Sequence, residues 1–129
     1  MPADRVDGLA VALLLCPNAD RTAAFYRDVL GLPLVGEVHD GRHRHYACRL
    51  GSVYFTLQPA ADLGAPPPTG GYDFLQLCFN VSDLTAFLAR AATQGVQPLH
   101  PPRPFEHTTF VTLLDPDGRH VRVMTPWER

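Results

Sequence analysis

Apolar and polar positions follow one order along this chain, and then follow it again. Residues 8–16 (GLAVALLLC) form a continuous apolar run of strand length, the pattern expected of a strand covered on both faces. Asn18 can then cap a helix and Asp20 suits its positive end, while Ala23, Tyr26, Val29 and Leu30 recur at helical spacing as a buried stripe. Gly31 supplies a left-handed cap and Pro33 prevents continuation. Strands are predicted over 34–38, 45–50 and 53–58, with turns at Asp40-Gly41 and Gly51-Ser52. Residues 59–71, rich in proline and glycine, read as a linker. The order then repeats: a strand over 73–81, a helix capped by Asp83 with the stripe Leu84, Phe87, Leu88, Ala91 and Ala92, and Gly95 as its stop. Strands over 96–101, 107–114 and 120–125 follow, the last two joined by the turn Asp115-Pro116-Asp117-Gly118. The expected class is α+β, a βαβββ unit used twice, in which duplicated units bury a shared core.

Composition narrows the functional classes. A chain of 129 residues with 46% hydrophobic content is material for one domain with a core that needs no disulfide or metal staple. The net charge is −2, and its cations, all arginine, are scattered, so nucleic acid is not an expected partner. Cys16, Cys48 and Cys78 sit in apolar runs and read as buried thiols of a reducing compartment. The run at 8–16 is too short for a bilayer span, and Asp4 and Asp7 spoil it as a signal peptide. A soluble cytoplasmic protein without membrane partners is the expectation.

The segment ADRTAAFYRDVLGLPL resembles the signature of the vicinal oxygen chelate superfamily, which groups glyoxalase I, extradiol dioxygenases, fosfomycin-modifying enzymes and bleomycin-resistance proteins. LLDPDGRHVRVM is similar to that superfamily's closing hairpin and strand. The resemblance runs over about residues 8–125 and implies modules 8–58 and 72–125 joined by the linker, in one domain of curled mixed sheet with helices outside. It further implies an open cup, a homodimer, and four metal-binding side chains, one in the first and one in the last strand of each module. Counting from Asn18, Asp83 and the Asp115–Gly118 turn, those positions fall on Val11, Gln76 and Arg122, with the fourth near Thr56 or its neighbour Phe55. Gln76 alone is a side chain the superfamily uses as a ligand. Valine offers no donor and arginine repels a cation, so no inherited metal is expected.

Strand parity inventories the cup as Val11, Leu13 and Leu15; Tyr54, Thr56 and Gln58; Gln76, Cys78 and Asn80; His120, Arg122 and Met124. An apolar wall with a few polar groups describes a small-molecule site, and Arg122 suggests a carboxylate or phosphate on the ligand. Arg122 could instead pair with Glu106 or Asp73. His43 and His45 could share a strand face and bind metal, or belong to a solvated hairpin, which is the plainer reading. His100, between Pro98 and Pro101, reads as loop surface. Cys78 could be a nucleophile or inert packing, and Tyr54 with His120 an acid–base pair. Tyr72, Phe74, Phe105, Phe110 and Trp127 are candidates for an interface, the cup rim or the core. The function expected is metal-free binding of a neutral or anionic small molecule. The alternative is an enzyme resembling glyoxalase I, a metal-dependent lyase, isomerase or dioxygenase with a displaced metal site.

Overall fold

The computed structural model describes residues 3–6, 8–38, 44–63 and 75–125. The elements run β1 (Val11–Cys16), α1 (Ala19–Asp28), β2 (Val35–Glu37), β3 (His45–Leu50), β4 (Val53–Pro59) and a 3-10 turn (Ala60–Leu63). There follow β5 (Leu77–Asn80), α2 (Leu84–Thr93), β6 (Arg103–Phe105), β7 (Thr108–Leu114) and β8 (His120–Met124). The strands form two mixed four-stranded sheets, ordered β1-β4-β3-β2 and β5-β8-β7-β6. Each sheet opens with a parallel pair, β1 with β4 and β5 with β8, and continues antiparallel.

The duplication extends to backbone detail. Asn18 and Asp83 both sit at φ −139° and ψ 98°, and each side chain accepts from the backbone N–H three residues on, at 3.1 Å from Arg21 and 2.9 Å from Ala86. Gly31 at φ 79° and Gly95 at φ 76° follow the two helices in the left-handed region. Leu13 lies beside Thr56 in the first sheet as Cys78 lies beside Arg122 in the second.

The two modules are joined through one core. Tyr26 packs on Phe55 of its own module and on Phe79 of the other, with ring centroids 5.4 and 6.3 Å away. The turn between β7 and β8 grips the first module. Buried Asp115 accepts from the Tyr26 hydroxyl at 2.8 Å, and Asp117 accepts from Thr22 at 2.9 Å and Arg21 at 3.1 Å. Arg119 bridges both carboxylates and donates to the Leu15 carbonyl of β1. In return, Arg90 of α2 donates to the carbonyls of Asp28 and Val29, satisfying orphan acceptors at the end of α1.

Three expectations are corrected. Residues 96–101 form no strand, and Leu99 makes one backbone bond to Thr112; the edge strand is β6, which accommodates Pro104 because an edge strand pairs on one side only. β1 is not covered on both faces by described residues: Leu14 and Cys16 enter the core, while Val11 and Leu13 remain 46% and 45% exposed. Cys16 and Cys48 are buried, but Cys78 is exposed because its strand position faces away from the helices. The expected turn at Asp40-Gly41 lies outside the described residues, as do His39, His43, Tyr72, Asp73, Phe74 and Trp127.

Candidate functional site

Parity sorts the strands as their sequence implies. In β1 and β4, Leu14, Cys16, Phe55 and Leu57 enter the core, leaving Val11, Leu13, Tyr54 and Thr56 on the opposite face. In β5 and β8, Leu77, Phe79, Val121 and Val123 pack inward, leaving Cys78, Asn80, His120, Arg122 and Met124 on the other side. These faces belong to separate sheets. The structure brings together only part of the expected set.

A pocket of about 220 Å³ lies over the second sheet, and it holds Gln76 and Arg122 with Leu99, His100, Arg103, Phe110 and Thr112. None of Val11, Leu13, Tyr54, Thr56, Cys78, Asn80, His120 and Met124 lines it among the described residues. Cys78 is nonetheless the cross-strand neighbour of Arg122 on one side, and Thr112 on the other. Tyr54 and His120, the supposed acid–base pair, lie in different sheets. Leu15 and Gln58 share the exposed-side row of the first sheet.

Arg122 lies on the wall of this pocket. Its guanidinium carbon stands 4.6 Å from the centroid of the Phe110 ring, a cation resting on an aromatic face. Phe110 is braced edge-on by His100 and by Phe105, at centroid distances of 5.2 and 6.4 Å. The Arg122 Nε is buried and has no hydrogen-bond partner among the described residues. Glu106, once a possible partner, instead occupies the β6–β7 turn at φ 54° and makes no ion pair with Arg122. The pocket thus gathers two guanidiniums, Arg122 and Arg103, with no carboxylate among its described lining residues.

His100 is not idle loop surface. Its Nδ1 lies 2.7 Å from the Pro101 carbonyl oxygen and its Nε2 lies 2.8 Å from Thr112 Oγ1. Sequence reasoning missed Leu99, His100, Arg103 and Thr112 as pocket residues, and offered Phe110 only as a candidate for the cup rim, an interface or the core. The alternation of β7 could have placed Phe110 and Thr112 beside Arg122, whereas nothing local marks His100.

The four positions at which the resemblance implies metal ligands carry side chains that do not suit a divalent ion. Val11 brings hydrocarbon, and Thr56 Oγ1 donates to the Tyr46 carbonyl at 3.0 Å while accepting from Gln58 at 3.0 Å. Gln76 contributes an amide, and Arg122 a permanent positive charge where an anionic or neutral donor is needed. Among the described residues no three His, Cys, Asp or Glu side chains gather as ligands would. His45 faces Glu37 across β2 and β3, 3.7 Å apart, while His43 lies outside the described residues.

A second cavity, about 550 Å³ and mainly apolar, opens between the modules against Ala12, Leu30, Phe55, Phe79 and Phe87, with Cys78 and Asn80 also on its wall. It shares no described lining residue with the polar pocket.

Comparison with known proteins places the fold. The family model described as Glyoxalase/Bleomycin resistance protein/Dioxygenase superfamily matches residues 8–123. Among solved structures, TnmS3, an antibiotic-binding protein from Streptomyces sp. CB03234, superposes with a TM-score of 0.72 at 18% identity, covering 95% of this chain and 98% of that one. Lactoylglutathione lyase from Agrobacterium tumefaciens gives 0.67 at 22% identity, with coverages of 94% and 95%. The integron cassette protein VCH_CASS1 from V. cholerae gives 0.71 at 22%, with coverages of 95% and 98%. No curated protein matches the chain at a significant level. No described helix is long and apolar enough to cross a membrane.

Proposed function

This chain belongs to the glyoxalase/bleomycin resistance protein/dioxygenase superfamily, and on that premise we propose that it is a small-molecule-binding protein holding an anionic ligand over its second sheet, without a metal. The observation that carries this reading is Arg122: a half-buried guanidinium seated on Phe110, with an unpartnered Nε and no facing carboxylate among the described residues. Such a group is a ready fork for a carboxylate or phosphate, and stacking on an aromatic ring restricts its plane before the ligand arrives. Arg103 adds a second positive charge at the exposed rim. Leu99 and Phe110 supply apolar wall, which suits an organic acid better than a bare ion.

Size limits the ligand further. A volume of about 220 Å³ is below the ~300–1,000 Å³ usual for drug-sized ligands, so the pocket suits an anionic headgroup or a small acid. TnmS3 shows that the same fold serves a protein that binds an antibiotic, which agrees with a binding role here. The replacement of the inherited metal donors by Val11 and Arg122 supports the metal-free part of the proposal.

The test is a titration with acetate, benzoate and sulfate followed by backbone amide shifts. Saturable changes should cluster at Gln76, Thr112 and Arg122. Arg122→Met, which keeps bulk and removes charge, should weaken binding by about ten- to a hundredfold, the worth of a charge-assisted hydrogen bond. Unchanged affinity would remove Arg122 from the site.

A further inference from the structure

The hydrogen bond of His100 to Pro101 fixes one of its protons. A carbonyl oxygen only accepts, so the 2.7 Å contact to Pro101 requires a proton on Nδ1. In the neutral ring Nε2 then offers only a lone pair, and Thr112 must give its hydroxyl proton to it across 2.8 Å. Thr112 is also the direct cross-strand neighbour of Arg122, and all three side chains line the same pocket. The hydroxyl of Arg122's cross-strand neighbour is therefore turned toward His100 while that ring is neutral.

We propose that His100 takes up a proton when an oxyanion enters the pocket, and that Thr112 transfers its hydroxyl from the histidine to the anion. This rests on the anion-binding reading of the pocket. The proton comes from solvent and adds to Nε2. The new Nε2–H donates to Thr112 Oγ1, whose own proton rotates away toward the ligand. One N–H bond forms as an O–H bond of a hydronium ion breaks and leaves water, no bond of the ligand changes, and the ligand gains a hydroxyl donor and a nearby positive charge. Any oxyanion with a free acceptor oxygen satisfies this chemistry, whether carboxylate, phosphate or sulfate.

The other charged groups at the pocket are Arg122 from β8 and Arg103 from β6, both permanent cations, with no described lining carboxylate. His120 lies two residues before Arg122 on β8, opposite Leu114, and does not line the pocket. His100 is therefore the titratable group among the described lining residues. An anion bound beside it favours its charged form.

Sulfate is the suitable probe because it remains a dianion throughout. Its affinity should be measured from about pH 8 to about pH 5.5, the span in which histidines change charge, with the imidazole nitrogens followed by ¹⁵N NMR. Sulfate added near neutral pH should convert the His100 ring from its Nδ1–H form to imidazolium. Affinity should rise about tenfold as pH falls, the difference between a neutral and a charge-assisted contact. His100→Gln should flatten that rise, and Thr112→Val should reduce it while leaving the other histidines in place. Sulfate binding that needs Arg122 but is independent of pH, with His100 neutral throughout, would overturn the proton coupling and leave the anion site standing. No binding of sulfate, acetate or benzoate at any pH would overturn both.

Discussion

Burial changes what individual side chains can do, and Cys16 shows it with a sign that can be measured. Burial, outweighing the opposing charge of nearby Arg119, pushes its thiol from 9.0 up to about 11. The unfolded chain therefore releases this proton first as pH rises. The contribution to stability is complete below pH 9.0 and is lost as pH climbs toward about 11. Denaturation midpoints measured across that window should fall with rising pH, and less steeply in Cys16→Ala; equal slopes would contradict the assignment. At this scale the sequence was partly legible. Gln76 and Arg122, which share the pocket, could be picked out by counting from the Asp83 cap and the Asp115–Gly118 turn. His100 could not, because its contact with Thr112 joins a proline-rich connector to β7, and no spacing rule encodes it.

Helices and strands were legible where capping and alternation agree. Asn18, Asp83, Gly31 and Gly95 act as expected, and the matched dihedrals of the two caps confirm the duplication. Legibility failed where two rules competed. The apolar spacing near Val96 suggested a strand, but the ladder forms at Arg103–Phe105, where Pro104 sits on an edge that pairs on one side only. The Asp115–Gly118 turn shows a different gap: its sequence announces a hairpin, but not that Asp115 and Asp117 will be the clamp on α1. Tyr26 lies fully buried in that clamp, and burial together with the neighbouring Asp115 charge holds its hydroxyl protonated well above the ordinary tyrosine range. Tyr26→Phe removes a donor from a buried carboxylate and should cost about 1–3 kcal/mol in chemical denaturation. An unchanged stability would mean that Arg119 and the backbone amides of Asp117 and Arg119 satisfy Asp115 alone.

On the scale of the whole molecule, the fold is the superfamily's, while valine and arginine, at two of the positions where the resemblance implies metal ligands, offer a divalent ion no donor. A duplicated scaffold tolerates this because the core and the site use opposite faces of the same strands. Val121, Val123, Leu77 and Phe79 maintain the shared core whatever stands at Arg122 and Gln76. The sequence could therefore reveal the scaffold and the altered positions. The pocket itself depends on which loops reach the second sheet, and that emerges only in three dimensions. The proposed consequence is that a fixed cation, Arg122, does the work of binding. The most direct test is to strip the protein with a chelator and titrate it with benzoate by NMR, before and after restoring zinc, nickel, iron or manganese. Saturable binding around Arg122 that is indifferent to metal and lost in Arg122→Met is the expected result. Binding that appears only when a divalent ion is restored, with that ion held stoichiometrically by the protein, would contradict it.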